Sequence, residues 1–160
     1  MLNTLFLPEI REMLAEGNGE ALREFCTTIH PASVAEFMSG LTADEAWEVL
    51  SFADVHERTE IFLYFEPDRQ VEIIERQDRR ESADLIQKMA PDDRVDLLEF
   101  VDEAIVNELL ALLPQEDRRD ILRLRAHPEN TAGAVMTTAV AKFPEAMTVR
   151  DALELSLIHI

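Results

Sequence analysis

The chain has 160 residues, room for one domain with part of another attached. An apolar fraction of 47% supplies a core and excludes a disordered tail, although 30% of the residues are charged. Its 33 acids against 15 Lys plus Arg give a formal charge of −18. Such a balance excludes nucleic acid and anionic lipid as partners and favours cations or basic protein surfaces.

The N-terminal stretch MLNTLFLPEIREM lacks the basic start and long apolar core of a signal peptide. Nowhere do about 18 apolar residues run together, so the sequence predicts a soluble chain with no direct membrane insertion. Leu2 to Leu14 reads as an amphipathic helix, closed by the flexible Gly17-Asn18-Gly19 turn. Glu20 to Ile29 places Leu22, Phe25, Cys26 and Ile29 at helical spacing, and His30-Pro31 stops it. Cys26, the single cysteine, excludes an internal disulfide and reads as a small buried apolar residue.

From Pro31 to Arg125 the chain repeats. Ile73-Ile74, Leu85-Ile86, Leu97-Leu98 and Leu109-Leu110 fall twelve residues apart, as do Pro67, Arg79, Pro91 and Glu103 at the starts of the units. Such periodicity marks stacked repeats. Pro, Ser, Thr or Asp opens most units, followed by acids where the helix dipole favours negative charge. Helices of this length are unstable alone and must bury their apolar stripes on neighbours. The expected fold is all-α, a right-handed superhelical stack of short antiparallel helices forming a solenoid. Near Arg125 the pattern changes. Val140, Lys142 and Phe143 read as a short strand ending at Pro144, and Thr148 caps a new helix with Asp151 in a capping-box-like position.

The twelve-residue repeats, the HPASVAEFMSGL stretch, and the junction PENTAGAVMTT followed by VAKFPEAMTVRDALE together resemble the cytosolic N-terminal region of MgtE-type magnesium transporters and channels. The acid-x-AG-x-x-MT signature matches loosely: Glu129 lies three residues before Ala132, and Met136-Thr137 follow. The resemblance implies a helical magnesium-sensing N domain over residues 1–126, with a linker and a truncated α/β start of a CBS domain over 127–160. It also implies a regulatory role on the cytoplasmic face of the membrane. Mg2+ held between acidic faces of the helical and CBS domains would keep a transmembrane pore shut in a homodimeric full-length protein.

No CxxC or HExxH spacing points to zinc, and no nucleophile accompanies Asp54 and His56, so catalysis has no support. Asp92 and Asp96 lie four residues apart and share a helix face. Spacing alone leaves two readings open. The acids are ligands, or Asp92 and Asp93 merely complement a helix start while Asp96 repeats the solvated shoulder occupied by Glu72, Asp84 and Asp120. The family resemblance favours the first, aligning Asp92 and Asp96 with ion-contacting carboxylates and Glu60 with a further acidic position. An acidic helical scaffold that binds a basic protein without metal is the alternative.

Overall fold

The computed structural model describes residues 6–127, 131, 133, 136 and 143–158. Eleven helices are found among them: α1 Leu7–Ala15, α2 Gly19–Thr28, α3 Pro31–Phe37, α4 Ala43–Ser51, α5 Val55–Phe62, α6 Pro67–Arg76, α7 Arg79–Lys88, α8 Pro91–Phe100, α9 Glu103–Leu112, α10 Gln115–Arg125 and α11 Val149–Ile158. From α4 to α10 every helix starts twelve residues after its predecessor, at 43, 55, 67, 79, 91, 103 and 115. For α6 to α9 the period is ten helical residues plus a two-residue link in extended backbone. Asp78, Asp102 and, earlier, Asp54 end the link by accepting hydrogen bonds from backbone amides of the next first turn.

Each helix rests on the helix two places further along. α3, α5, α7 and α9 form one row, and α2, α4, α6, α8 and α10 another. Ile73, Ile74, Leu85, Ile86, Leu98 and Leu109 are fully enclosed between them. The residue two places before each helix start from α4 to α10 also turns inward. Leu41, Ala53, Phe65, Met89, Val101 and Leu113 recur at twelve-residue steps, all buried, with the half-buried Gln77 completing the series. At the N-terminus α1 leans on Gly40, where a Cβ would collide with Leu7. Gly17 makes the turn after α1 at φ 64°, a conformation glycine adopts freely.

The ends of these short helices are closed by side chains from the next unit. A helix leaves its last four carbonyls without intrahelical partners. Arg58 donates to the carbonyls of Leu50, Ser51 and Ala53, and Gln70 to those of Phe62 and Phe65. Arg94 donates to Gln87 and Met89, and Arg118 to Ala111 and Leu113. These four donors share one register, the fourth helical position of their units. Ser82 occupies it in α7, too short to reach, with its hydroxyl buried and without a hydrogen-bond partner. Arg79 closes α6 instead, donating to Ile74, Glu75 and Gln77 at 3.1 Å each.

Cys26 is buried and its thiol is pushed up to about 11, chiefly by burial and then by the charge of Glu57. Trp47, Phe62 and Phe65 are packing residues, whereas Tyr64 is 55% exposed and meets His30 edge-on.

The expected α/β start of a CBS domain is not present: the described residues contain no β-strand. Phe143 lies in irregular chain, and Val140 and Lys142 fall outside the described residues, as do Glu129, Ala132 and Thr137 of the junction signature. A strand is held by a ladder to a partner strand, and the described residues offer no second edge to pair with. The helix after it does form. Thr148 Oγ1 accepts from the Asp151 amide at 3.2 Å and donates to the Asp151 carboxylate at 2.7 Å.

Arg94 is 8% exposed and joins Asp117 at 2.7 Å while closing α7. Arg94→Ala strips two carbonyls of their donor and leaves Asp117 half-buried without its countercharge. The expected loss is roughly 3 kcal/mol of unfolding free energy, read from urea midpoints at neutral pH. Arg94→Lys recovers only part, because an ammonium cannot fork between the carbonyls and the carboxylate.

Candidate metal-facing surface on α8

α8 begins at Pro91, whose missing amide hydrogen costs nothing at the first helical position. Val95, Leu97 and Leu98 turn into the core and Arg94 turns toward α7 and α10. Asp96 remains exposed, while Asp92 and Asp93 stand half-buried in the first turn. Ion pairs elsewhere link unit to unit: Arg11 with Glu45, Arg76 with Asp44, Arg79 with Glu108, Arg94 with Asp117, and Arg125 with Glu103. No ion pair among the described residues includes Asp92, Asp93 or Asp96.

The three carboxylates therefore repel one another. The Asp93 carboxyl is held above the usual carboxylate range, first by burial and then by the charges of Asp92 and Asp96. One oxygen of Asp92, Oδ1, is enclosed and has no hydrogen-bond partner. Asp93 and Asp96 border a cavity of about 470 Å³ floored by Leu63, Val71, Leu97 and Phe100. Asp92 does not border it.

Glu60 lies on α5, 3.7 Å from His56 Nε2, and is exposed. It borders a second cavity of about 320 Å³ with His30, Leu63 and Tyr64. Leu63 lines both cavities, so Glu60 and Asp96 flank the same side chain. His30 itself works as a helix cap, its Nδ1 accepting from the Ala32 amide at 3.3 Å.

Among the described residues no three His, Cys, Asp or Glu side chains converge closely enough to enclose a metal ion. The donors fit a looser demand. Hard cations such as Mg2+ take oxygen ligands, keep several waters and use one or two carboxylates from a given protein surface. Asp92 with its unpartnered oxygen, exposed Asp96 and exposed Glu60 supply carboxylates of that kind. Spacing put Asp92 and Asp96 on one helix face, and the family resemblance singled them out as ligands. Spacing missed that Asp93 shares the cavity with Asp96, because only folding sets α6 opposite α8.

A two-row helical solenoid with an unpaired acidic face describes a regulatory or interaction domain built on repeats. Residues 29–130 match the family of MgtE intracellular N domains, and the chain belongs to that family. Two solved structures are similar over most of it. One is described as the soluble part of a magnesium transporter, at 25% identity and a TM-score of 0.78, covering 92% of this chain and 59% of that one. The other is described as the cytosolic domain of the Mg2+ channel MgtE in complex with ATP, at 26% identity and a TM-score of 0.82, covering 93% and 61%. The chain thus spans about three-fifths of each of these relatives. No curated protein matches it. This membership makes the chain a non-catalytic domain. No helix among the described residues is long and apolar enough to cross a membrane.

The raised Asp93 carboxyl has a definite sign in the pH dependence of stability. A carboxyl whose folded pKa exceeds its unfolded value contributes stability that is full below the unfolded value and lost as pH rises through the folded one. Asp93→Asn removes that loss. Its stability relative to wild type should therefore climb as pH is raised through the carboxylate range, measured by urea unfolding at successive pH values.

Proposed function

We propose that this chain is the cytosolic regulatory domain of a magnesium transporter and senses intracellular Mg2+ through Asp92, Asp96 and Glu60. The observation that carries the reading is the set of α8 carboxylates left without countercharge while the ion pairs elsewhere knit the repeats together. In the longer protein these residues would face CBS domains that follow the helical unit of residues 1–126. The pore they gate would lie in a membrane region outside this chain, in a homodimer. The bound ion supplies positive charge between two acidic faces. Asp96 offers an exposed oxygen, Asp92 an oxygen with no competing donor, and Glu60 a carboxylate across Leu63.

The energetics favour several sites over one. Ion binding stabilises the assembled state by RT ln(1+[Mg]/Kd), about 0.4 kcal/mol per site when Kd equals the ambient concentration. Moving a two-state equilibrium from about 1:99 to 99:1 takes about 5.5 kcal/mol of differential binding. Carboxylates on both α5 and α8 are consistent with that demand.

The test uses a protein containing this chain and the CBS domains, digested by a protease across a MgCl2 series with ionic strength held constant by NaCl. Wild type should gain protection as Mg2+ rises, and Asp92→Asn with Asp96→Asn should shift the midpoint upward by about tenfold or more, the scale of one lost charged contact. Equal protection of both proteins would remove these residues from the site.

A further inference from the structure

The cavity between α6 and α8 combines two features that the cation reading leaves unused, an apolar floor and solvent-facing apolar walls. Phe100 is 69% exposed and Leu63 is 36% exposed, and both line a cavity of about 470 Å³. Val71 and Leu97 line it with them, and Asp93, Asp96 and Glu99 add an acidic border. That volume falls in the range of sites that take large side chains. On α8 the positions Asp93, Asp96, Leu97 and Phe100 follow the i, i+3, i+4, i+7 pattern of one helix stripe. The two flanking helices have ten residues each, a trough about 15 Å long.

We infer that this groove is a docking site for a cationic amphipathic helix of a protein partner, its apolar side chains seated between Phe100 and Leu63 and its Lys or Arg side chains on Asp93 and Asp96. Charge selects this occupant over the others. A second copy brings another −18, and α11 brings Asp151 and Glu154, so both set acids against the acidic rim. Anionic lipid and nucleic acid are repelled for the same reason. A basic helix instead brings countercharge to Asp93 and Asp96, which no ion pair among the described residues includes, and it continues the packing of the solenoid, in which α6 already lies against α4 and α8. Helix-in-groove recognition uses this division of labour, apolar anchors for affinity and a charged rim for orientation.

The inference needs no metal ion, so it is measured in EDTA and stands or falls apart from the cation reading. The probe is a fluorescein-labelled Leu/Lys peptide of about four helical turns, followed by anisotropy with the full chain at about 0.15 M salt, where long-range attraction is screened. Four proteins are compared: wild type, Phe100→Ser, Asp93→Asn with Asp96→Asn, and Glu20→Gln with Glu24→Gln on exposed positions of α2. The expected result is a Kd weakened by about tenfold or more in the first two variants, the size of effect seen when a central contact is lost, with the α2 variant unchanged. Circular dichroism and thermal unfolding confirm that each variant is folded. Equal weakening by the α2 and α8 charge variants would overturn the proposal, because binding would then read only net charge. So would unaltered binding by Phe100→Ser, or no binding by wild type.

Discussion

The structure depends on closing the C-terminal ends of helices only two to three turns long. Each such helix leaves carbonyls that burial would otherwise strand, and burying an unpaired carbonyl costs about 1–3 kcal/mol. In α5, α6, α8 and α10 the solution is a long donor at the fourth helical position reaching back across the link, and in α7 Arg79 at the first position takes its place. Arg58, Gln70, Arg94 and Arg118 are the fourth-position donors. The twelve-residue period follows from that reach. The link must be short enough for the side chain to cover the end it just left, and its first residue must fill the space beneath, as Met89, Val101 and Leu113 do.

This arrangement also decides where charge appears. Arg11, Arg58, Arg69, Arg79, Arg94 and Arg118 donate to backbone carbonyls, which draws a large share of the chain's cations onto the backbone. Arg suits the task because its planar fork serves two or three carbonyls at once, which an ammonium cannot match. The acids cap helices and pair with some of these arginines, but they outnumber the cations 33 to 15. With the arginines committed to helix ends and inter-unit pairs, the excess of acids is left to faces such as that of α8. α8 shows the effect most clearly: Arg94 stands between Asp93 and Asp96 in sequence, yet its guanidinium pairs with Asp117.

Periodicity made the solenoid legible. The apolar pairs from Ile73 to Leu110 were readable because two adjacent apolar residues recurring every twelve places have few explanations, and every one of them is buried. The link residues were not, because Leu41, Ala53, Phe65, Met89, Val101 and Leu113 share a register but no residue type, and a loop position is ordinarily assigned to solvent. The arginine closures were hidden for a similar reason: a charged residue in an amphipathic repeat counts toward the solvent face. The α/β start expected of a CBS domain shows the opposite error. Local propensity was read where only a pairing partner makes a strand, and the described residues hold none. For the site, helix spacing put Asp92 and Asp96 on one face, but the cavity that joins Asp93 and Asp96 to Leu63 and Val71 required α5, α6 and α8 to be set side by side.

Placing carboxylates beside an apolar groove couples two kinds of recognition on one face. At an effective dielectric near 20, unit charges 4 Å apart interact by about 4 kcal/mol, so like charges on the rim oppose the burial of the floor beside them. The floor's apolar contacts become fully available only to an approaching surface that also brings positive charge. A divalent ion meets that condition for an acidic partner face, and a Lys or Arg side chain meets it for a basic one. The discrimination thus comes from the pairing of Asp93 and Asp96 with Phe100 and Leu63, since either set alone would accept a broader range of partners.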